Sequence, residues 1–221
     1  MLKGLFAYLR SPEEGKPFDF KPKSILSSFW LYLVAVFFFT LLMGILVSVL
    51  GKTFPTLMRP KIVGHSDYPV WIVALLGPIL EEGAFRLSLN RKKITIVLSL
   101  ILISFLLASS FCFSRAIYSL DHLFVRIGIA VVVGSGLFLL LGKYMISCRF
   151  KPYFWFWGLF FGCVHLMNVN YASFLPLDYI SLLLYTVTHI IMGLVLGYIR
   201  MKNSFAVSTS LHILNNLITV I

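Results

Sequence analysis

The chain of 221 residues is 59% hydrophobic and 12% charged, and its mean hydropathy of +0.94 excludes an ordinary soluble domain. A net charge of +11 would suit a nucleic-acid partner, but the basic residues lie mostly at the ends of apolar runs, which is typical of membrane topology. We therefore expect an all-α polytopic membrane protein that contacts the lipid bilayer and no nucleic acid.

Residues 1–24 form the first region, a polar segment of mixed charge with interleaved aromatic residues. It lacks a short apolar stretch followed by a cleavage site, so we expect no cleaved signal peptide. The composition predicts a cytoplasmic arm at the membrane interface. Residues 25–221 are expected to form one transmembrane domain.

Apolar runs long enough to span a bilayer follow the arm, each close to the ~20 residues that a spanning helix needs. They predict a bundle of about seven transmembrane helices at residues 25–50, 68–89, 94–113, 123–145, 152–168, 174–199 and 204–221. Gly158 and Gly162 in the fifth span, and Gly193 and Gly197 in the sixth, are spaced for close helix contact. His189 lies on the glycine face of the sixth span, which favours a packing role.

Lysine and arginine residues are distributed unevenly between the two sides that these spans define. With the N-terminus in the cytoplasm, most of the 19 lie inside, and those outside are Lys52, Arg59, Lys61 and Arg115. This asymmetry predicts a multi-pass protein of the cytoplasmic or inner cell membrane, with its C-terminus outside. Arg126 lies near the end of a span, where its side chain is expected to reach the interface.

The second predicted span carries two adjacent carboxylates, Glu81 and Glu82, followed by Arg86. A charge inside a span costs about 3 kcal/mol, so such residues indicate a functional site. Glu82 and Arg86 are four residues apart and are expected to neutralise each other on one helix face. Glu81 points about 100° away and has no partner in its own span. The preceding Gly77-Pro78 removes a backbone donor and predicts a kink.

Polar residues at matching depths in two other spans are candidates to face Glu81. At 1.5 Å per residue, Glu81 and His212 lie about 15 Å from the nearest cytoplasmic charge, and His165 and Asn216 lie about 21 Å from it. His212 and Asn216 share a helix face, and Phe161 lies one turn before His165. Four polar groups at similar depths on three helices predict a common site.

Three motifs, each inside a predicted span, occur in chain order: Glu81-Glu82-x-x-x-Arg86, Phe161-x-x-x-His165 and His212-x-x-x-Asn216. They resemble the motifs of the CAAX-protease and bacteriocin-processing family of intramembrane glutamic endopeptidases, which includes the eukaryotic CAAX prenyl protease. The resemblance covers about residues 68–221 and implies a CAAX-protease-like domain with its site between the second, fifth and seventh spans. The implied activity is hydrolysis of a peptide bond in a membrane-associated protein or peptide, by CAAX-type or leader-type processing.

The resemblance also implies a role for each motif residue. Glu81 would act as general base on a water shared with His165, and His212 and Asn216 would hold the oxyanion. The remaining motif residues would support that geometry: Glu82, Arg86 and Phe161.

Three alternatives to this mechanism stay open. Glu81, His165 and His212 would suit zinc with an open coordination position, but HExxH is absent and Asn is an uncommon zinc ligand. We therefore expect no cofactor. Buried carboxylates would also serve a transporter or channel, although no internal repeat is visible, and a non-catalytic membrane scaffold would keep the same residues.

Overall fold

The computed structural model describes residues 2–14, 22–53, 69–115, 117–169 and 178–220. Regular structure in these residues is helical, which confirms the predicted all-α class for the described part of the chain. Several predicted segments lie partly outside the described residues. They are the arm, the second, sixth and seventh spans, and the loop that carries Arg59 and Lys61.

The described residues form nine α-helices. They are α1 (Leu2–Arg10), α2 (Pro22–Tyr32), α3 (Phe38–Thr53), α4 (Gly77–Arg86), α5 (Lys93–Leu107), α6 (Leu123–Ser147), α7 (Phe150–Val164), α8 (Asp178–Lys202) and α9 (Phe205–Val220). Wide π turns extend three of these helices, and short 3-10 turns end α4 at Leu87–Asn90 and α7 at His165–Asn168.

Three of the described helical segments are long and apolar enough to cross a membrane: Lys93–Cys112, Leu123–Ser147 and Tyr179–Lys202. These segments indicate a membrane protein. The helices α7 and α9 have 15 and 16 residues, fewer than the ~20 of a full span. The predicted count of seven spans therefore stays a prediction.

A π turn at Ile72–Leu76 directly precedes Gly77-Pro78, where a kink was predicted. The amide of Gly77 donates to the carbonyl of Ile72, five residues earlier, instead of four. The ring of Pro78 then occupies the first turn of α4, where its missing N–H costs little. The next two turns carry Glu81, Glu82 and Arg86 into the bundle.

The helices α7 and α8 pack closely along their glycines. A Cβ added at Gly162 would lie 2.8 Å from the backbone nitrogen of Ile190, and one added at Gly193 would lie 2.8 Å from the Gly158 carbonyl. Only hydrogen fits between these backbones. The predicted tight packing at the glycine pairs is confirmed, and it brings the end of α7 against the middle of α8.

The arm helix α1 packs against one end of the bundle. The Tyr8 ring contacts Phe154 of α7 at 5.3 Å and Tyr198 of α8 at 5.1 Å. Beyond the helix, Glu14 forms an ion pair with Arg91, which follows α4. The end of α4, the start of α7 and the end of α8 therefore lie at the same end of the bundle, as the predicted topology requires.

The expectation for Arg126 is wrong, because its side chain is fully buried rather than extended to the interface. Its guanidinium donates to the Ser109 hydroxyl at 2.7 Å and to the carbonyls of Ser119 and Ile117 at 2.6 and 3.1 Å. It also lies over the Phe105 ring at 4.8 Å. The loop between α5 and α6 folds around the charge and supplies these acceptors.

Candidate active site

Two neighbouring carboxylates on α4 form the centre of the site, and Glu82 is the fully buried one. Its Oε1 atom lies 3.2 Å from Arg86 Nη1, one turn away on the same helix. From α9, the Ser208 hydroxyl donates to Oε2 at 2.6 Å and His212 Nδ1 lies 3.0 Å from Oε1. Arg86 carries a positive charge and Ser208 donates its hydroxyl hydrogen, so Glu82 is a carboxylate, and His212 Nδ1 is the donor that faces it.

Glu81 projects from the neighbouring position toward two imidazoles. Its Oε2 atom lies 3.6 Å from His212 Nε2 and 3.8 Å from His165 Nε2. These separations exceed a normal hydrogen bond, and 20% of the Glu81 side chain stays exposed. The structure thus brings together the three residues that the sequence placed on three different spans, here α4, α9 and the turn that ends α7.

Phe161 of α7 contacts both the Arg86 charge and the two imidazoles. The Arg86 guanidinium lies 3.8 Å from the Phe161 ring centroid, an arrangement of the cation–π type. The ring also makes edge-type contacts with His165, at 4.5 Å between ring centroids, and with His212, at 5.9 Å. Phe161 is fully buried, so all three contacts lie inside the bundle.

The hydrogen bonds of the two histidines determine which ring nitrogen carries the proton. His165 Nδ1 lies 2.8 Å from the Phe161 carbonyl, which can only accept, so this nitrogen is the donor. His212 Nδ1 faces the Glu82 carboxylate in the same way. In the neutral rings both Nε2 atoms are therefore acceptors, and both face Glu81. The Glu81 carboxylate and both Nε2 atoms are thus hydrogen-bond acceptors that face one another. A hydrogen bond forms among them only if one of these groups is protonated or a donor molecule binds between them.

Asn216 lies one helical turn beyond His212 on α9, as its spacing predicted. The Asn215 amide lies 3.5 Å from its side-chain oxygen. The helix face that carries Ser208 and His212 continues to Asn216, which therefore lies on the same side of α9 as the groups facing Glu81.

Two residues near the site were not predicted. Ser208 binds Glu82, and its spacing of four residues before His212 was the signal that placed it on the same face. His189 of α8, expected to have a packing role, stacks on His165 with 4.2 Å between ring centroids and 29° between ring planes. Its predicted position on the glycine face of the sixth span, which packs against α7, was a signal for this contact.

Among the described residues, no group of three or more His, Cys, Asp or Glu side chains has an arrangement that could hold a metal ion. The zinc alternative, with Glu81, His165 and His212 as ligands, draws no support from this geometry. The expectation that no cofactor is needed stays a prediction.

The arrangement can polarise a small molecule placed against Glu81, because a carboxylate oxygen and two imidazole nitrogens face the same point. The ionic network of Glu82 and Arg86 lies directly behind it and is closed to solvent. Compared with known proteins, this chain matches no protein-family model, no curated protein and no solved structure.

Proposed function

We propose that the protein is a glutamate-dependent intramembrane endopeptidase that hydrolyses a peptide bond of a membrane-associated protein or peptide. The observation that carries this proposal is the approach of Glu81 Oε2 to within 3.6 and 3.8 Å of two imidazole nitrogens from other helices. The motif resemblance to the CAAX-protease and bacteriocin-processing family supports the same activity. We place the enzyme in the cytoplasmic or inner cell membrane with its N-terminus inside.

The attacking group in this mechanism is a water bound between Glu81 and His165. A water oxygen about 2.8 Å from both acceptors is compatible with their separation of 3.8 Å. It would donate one hydrogen to each acceptor and direct a lone pair at the peptide carbonyl. Glu81 takes the proton as the new carbon–oxygen bond forms, and later transfers it to the leaving amine.

The oxyanion that develops on the peptide carbonyl needs N–H donors. The Asn216 amide supplies donors in either state of the site. His212 donates from Nε2 only as the imidazolium, because its Nδ1 proton is already directed at Glu82. Glu82 is the counter-ion for that imidazolium, so two carboxylates, Arg86 and the charged ring together sum to no net charge.

Glu82, Arg86 and Phe161 support the site without touching the substrate. The Glu82 carboxylate fixes the orientation of His212, and Arg86 neutralises Glu82. Phe161 holds His165 through its backbone carbonyl and its ring face. Each therefore acts through one of the groups around Glu81.

The test is cleavage of a peptide library by the full chain in proteoliposomes. The library contains isoprenylated peptides with CAAX ends and peptides with leader-like sequences, and products are identified by mass spectrometry. We expect the parent protein to cut at least one class, and Glu81→Ala and His165→Ala to cut none. Leu183→Ala is the control, because the Leu183 side chain of α8 is 62% exposed.

Cleavage by both site variants at the parent rate would show that the assigned roles are wrong. The same assay separates the zinc alternative, since activity lost in a chelator and restored by zinc would replace the metal-free mechanism.

A further inference from the structure

Four aromatic rings at the contact of α7 and α8 form a series in which each ring touches the next. Phe161 contacts His165 at 4.5 Å, His165 stacks on His189 at 4.2 Å, and His189 contacts Tyr185 at 4.2 Å, all between ring centroids. His165 therefore contacts Phe161, which belongs to the three motifs, and His189, which lies outside them.

The two stacked imidazoles are tethered in the same way. His189 Nδ1 lies 2.8 Å from the Tyr185 carbonyl, just as His165 Nδ1 lies 2.8 Å from the Phe161 carbonyl. Each ring thus donates to the residue four positions earlier in its own chain segment. The close glycine contact between α7 and α8 brings these separately tethered rings face to face.

The parallel arrangement limits what His189 can do for His165. With 29° between the ring planes, the nitrogens of one ring point past the other ring rather than at it. A hydrogen bond needs the donor directed at the acceptor, so the stack does not serve proton transfer between the rings. The face of the His189 ring restricts the tilt of His165, and a tilt would move Nε2 away from Glu81.

We infer that His189 is a positioning residue that holds the ring plane of His165 through its aromatic face. As a role in catalysis, this inference rests on the proposed function, because it assumes that His165 shares the attacking water with Glu81. What contacts His165 at position 189 is a flat ring, while the Nδ1 hydrogen bond to the Tyr185 carbonyl orients that ring without facing His165. Three substitutions separate these two features: His189→Phe keeps a ring, His189→Gln keeps a polar group without a ring, and His189→Ala keeps neither.

The first experiment measures the stack itself, without any substrate. The full chain is labelled with ¹³C at histidine Cε1 in detergent micelles, and the His165 resonance is assigned by its loss in His165→Gln. Stacking on an aromatic face shifts the attached proton upfield. We expect His189→Phe to retain an upfield position and His189→Ala and His189→Gln to move the resonance downfield. Leu183→Ala, on the same helix, should leave it unchanged.

The second experiment measures catalysis on a library peptide that the parent cuts and Glu81→Ala does not. We expect kcat to fall about tenfold in His189→Ala and His189→Gln with KM nearly unchanged, because His165 is misplaced without loss of substrate contacts. His189→Phe should stay within about threefold of the parent.

A parent-like His189→Gln combined with a defective His189→Phe would overturn the inference and assign the role to the ring nitrogens. An unshifted His165 resonance in His189→Ala would also overturn it, because the stack would then be absent. If the parent cuts no peptide, the proposed function fails, while the resonance still decides whether His189 orients His165.

Discussion

Glu81 and Glu82 are adjacent in sequence and identical in chemistry, yet their surroundings differ completely. Glu82 is fully buried, with an ion pair to Arg86 and contacts from Ser208 and His212 around its two oxygens. The Glu81 side chain is 20% exposed, and imidazole nitrogens approach its Oε2 atom at 3.6 and 3.8 Å, beyond hydrogen-bond distance. One carboxylate is fully satisfied, and the other keeps its acceptor capacity for another molecule.

The bundle around the two carboxylates shows the same division. Residues 192–199 of α8, on the side of Glu82, are buried, whereas residues 184–191, which include His189, are only partly buried. The structure concentrates its ionic bonds where water is excluded and leaves partly open the side that the proposed mechanism assigns to water and peptide. Under that proposal Glu82 supports the fold and Glu81 acts as the base.

Glu81→Gln should reduce the cleavage rate more than any of the other substitutions. The amide cannot accept a proton, so we expect kcat to fall about 10³-fold on the library peptide. Stability should hardly change, because the two imidazole contacts of Glu81, at 3.6 and 3.8 Å, are longer than hydrogen bonds. The midpoint of thermal unfolding in detergent, followed by tryptophan fluorescence, serves as the control. A variant that is active but unfolds early would reverse the roles of the two carboxylates.

Glu82→Gln should be the reverse case, with stability lost first. The substitution leaves the buried Arg86 without its anion, and we expect about 3 kcal/mol of destabilisation. The thermal midpoint reports it, and the double variant Glu82→Gln with Arg86→Met should recover part of the loss, because neither buried charge then remains. If the double variant is less stable than Glu82→Gln alone, Arg86 is held by something other than this ion pair.

Much of this division could be predicted from spacing alone. The separation of Glu82 and Arg86 by one turn indicated the ion pair, and the change of face at Glu81 indicated that it needed partners elsewhere. Depth from the nearest cytoplasmic charge identified His165 and His212 as those partners, because helices in a bilayer run nearly parallel. The helices α4, α7 and α9 bring these three side chains together in the structure.

The rest depended on contacts that spacing does not contain. A serine in an apolar helix commonly bonds a carbonyl of its own helix, so the spacing of Ser208 indicated its helix face but not its bond to Glu82. The stacking of His189 depends on how closely α7 and α8 approach. Arg126 is buried against backbone carbonyls of the preceding loop, and backbone groups leave no signal in a sequence.

Gly162→Ala tests whether the position of His165 depends on the close contact between α7 and α8. The added methyl group would lie against the backbone of Ile190, and we expect about 2 kcal/mol of destabilisation together with reduced cleavage, because His165 follows directly on α7. Gly136→Ala is the matched control, since an added Cβ there meets nothing within 4 Å. It should stabilise α6 slightly through helix propensity. Equal effects of the two substitutions would mean that close packing does not position His165.

Ser208→Ala should have the smallest effect, and it tests whether a change at Glu82 alters stability without altering the groups around Glu81. It removes one of three donors from Glu82 while Arg86 and His212 remain, so we expect a loss of about 1.5 kcal/mol in the free energy of unfolding. Ser210→Ala, on the exposed face of the same helix, should change it by less than about 0.5 kcal/mol.

Cleavage in Ser208→Ala should fall only a few-fold, because His212 keeps its bond to Glu82 and Glu81 keeps both imidazoles. A loss of activity as large as that of Glu81→Gln would contradict this separation. In that case a change at Glu82 would pass undiminished to the reacting groups, and the two carboxylates would act as one unit rather than as a support and a base.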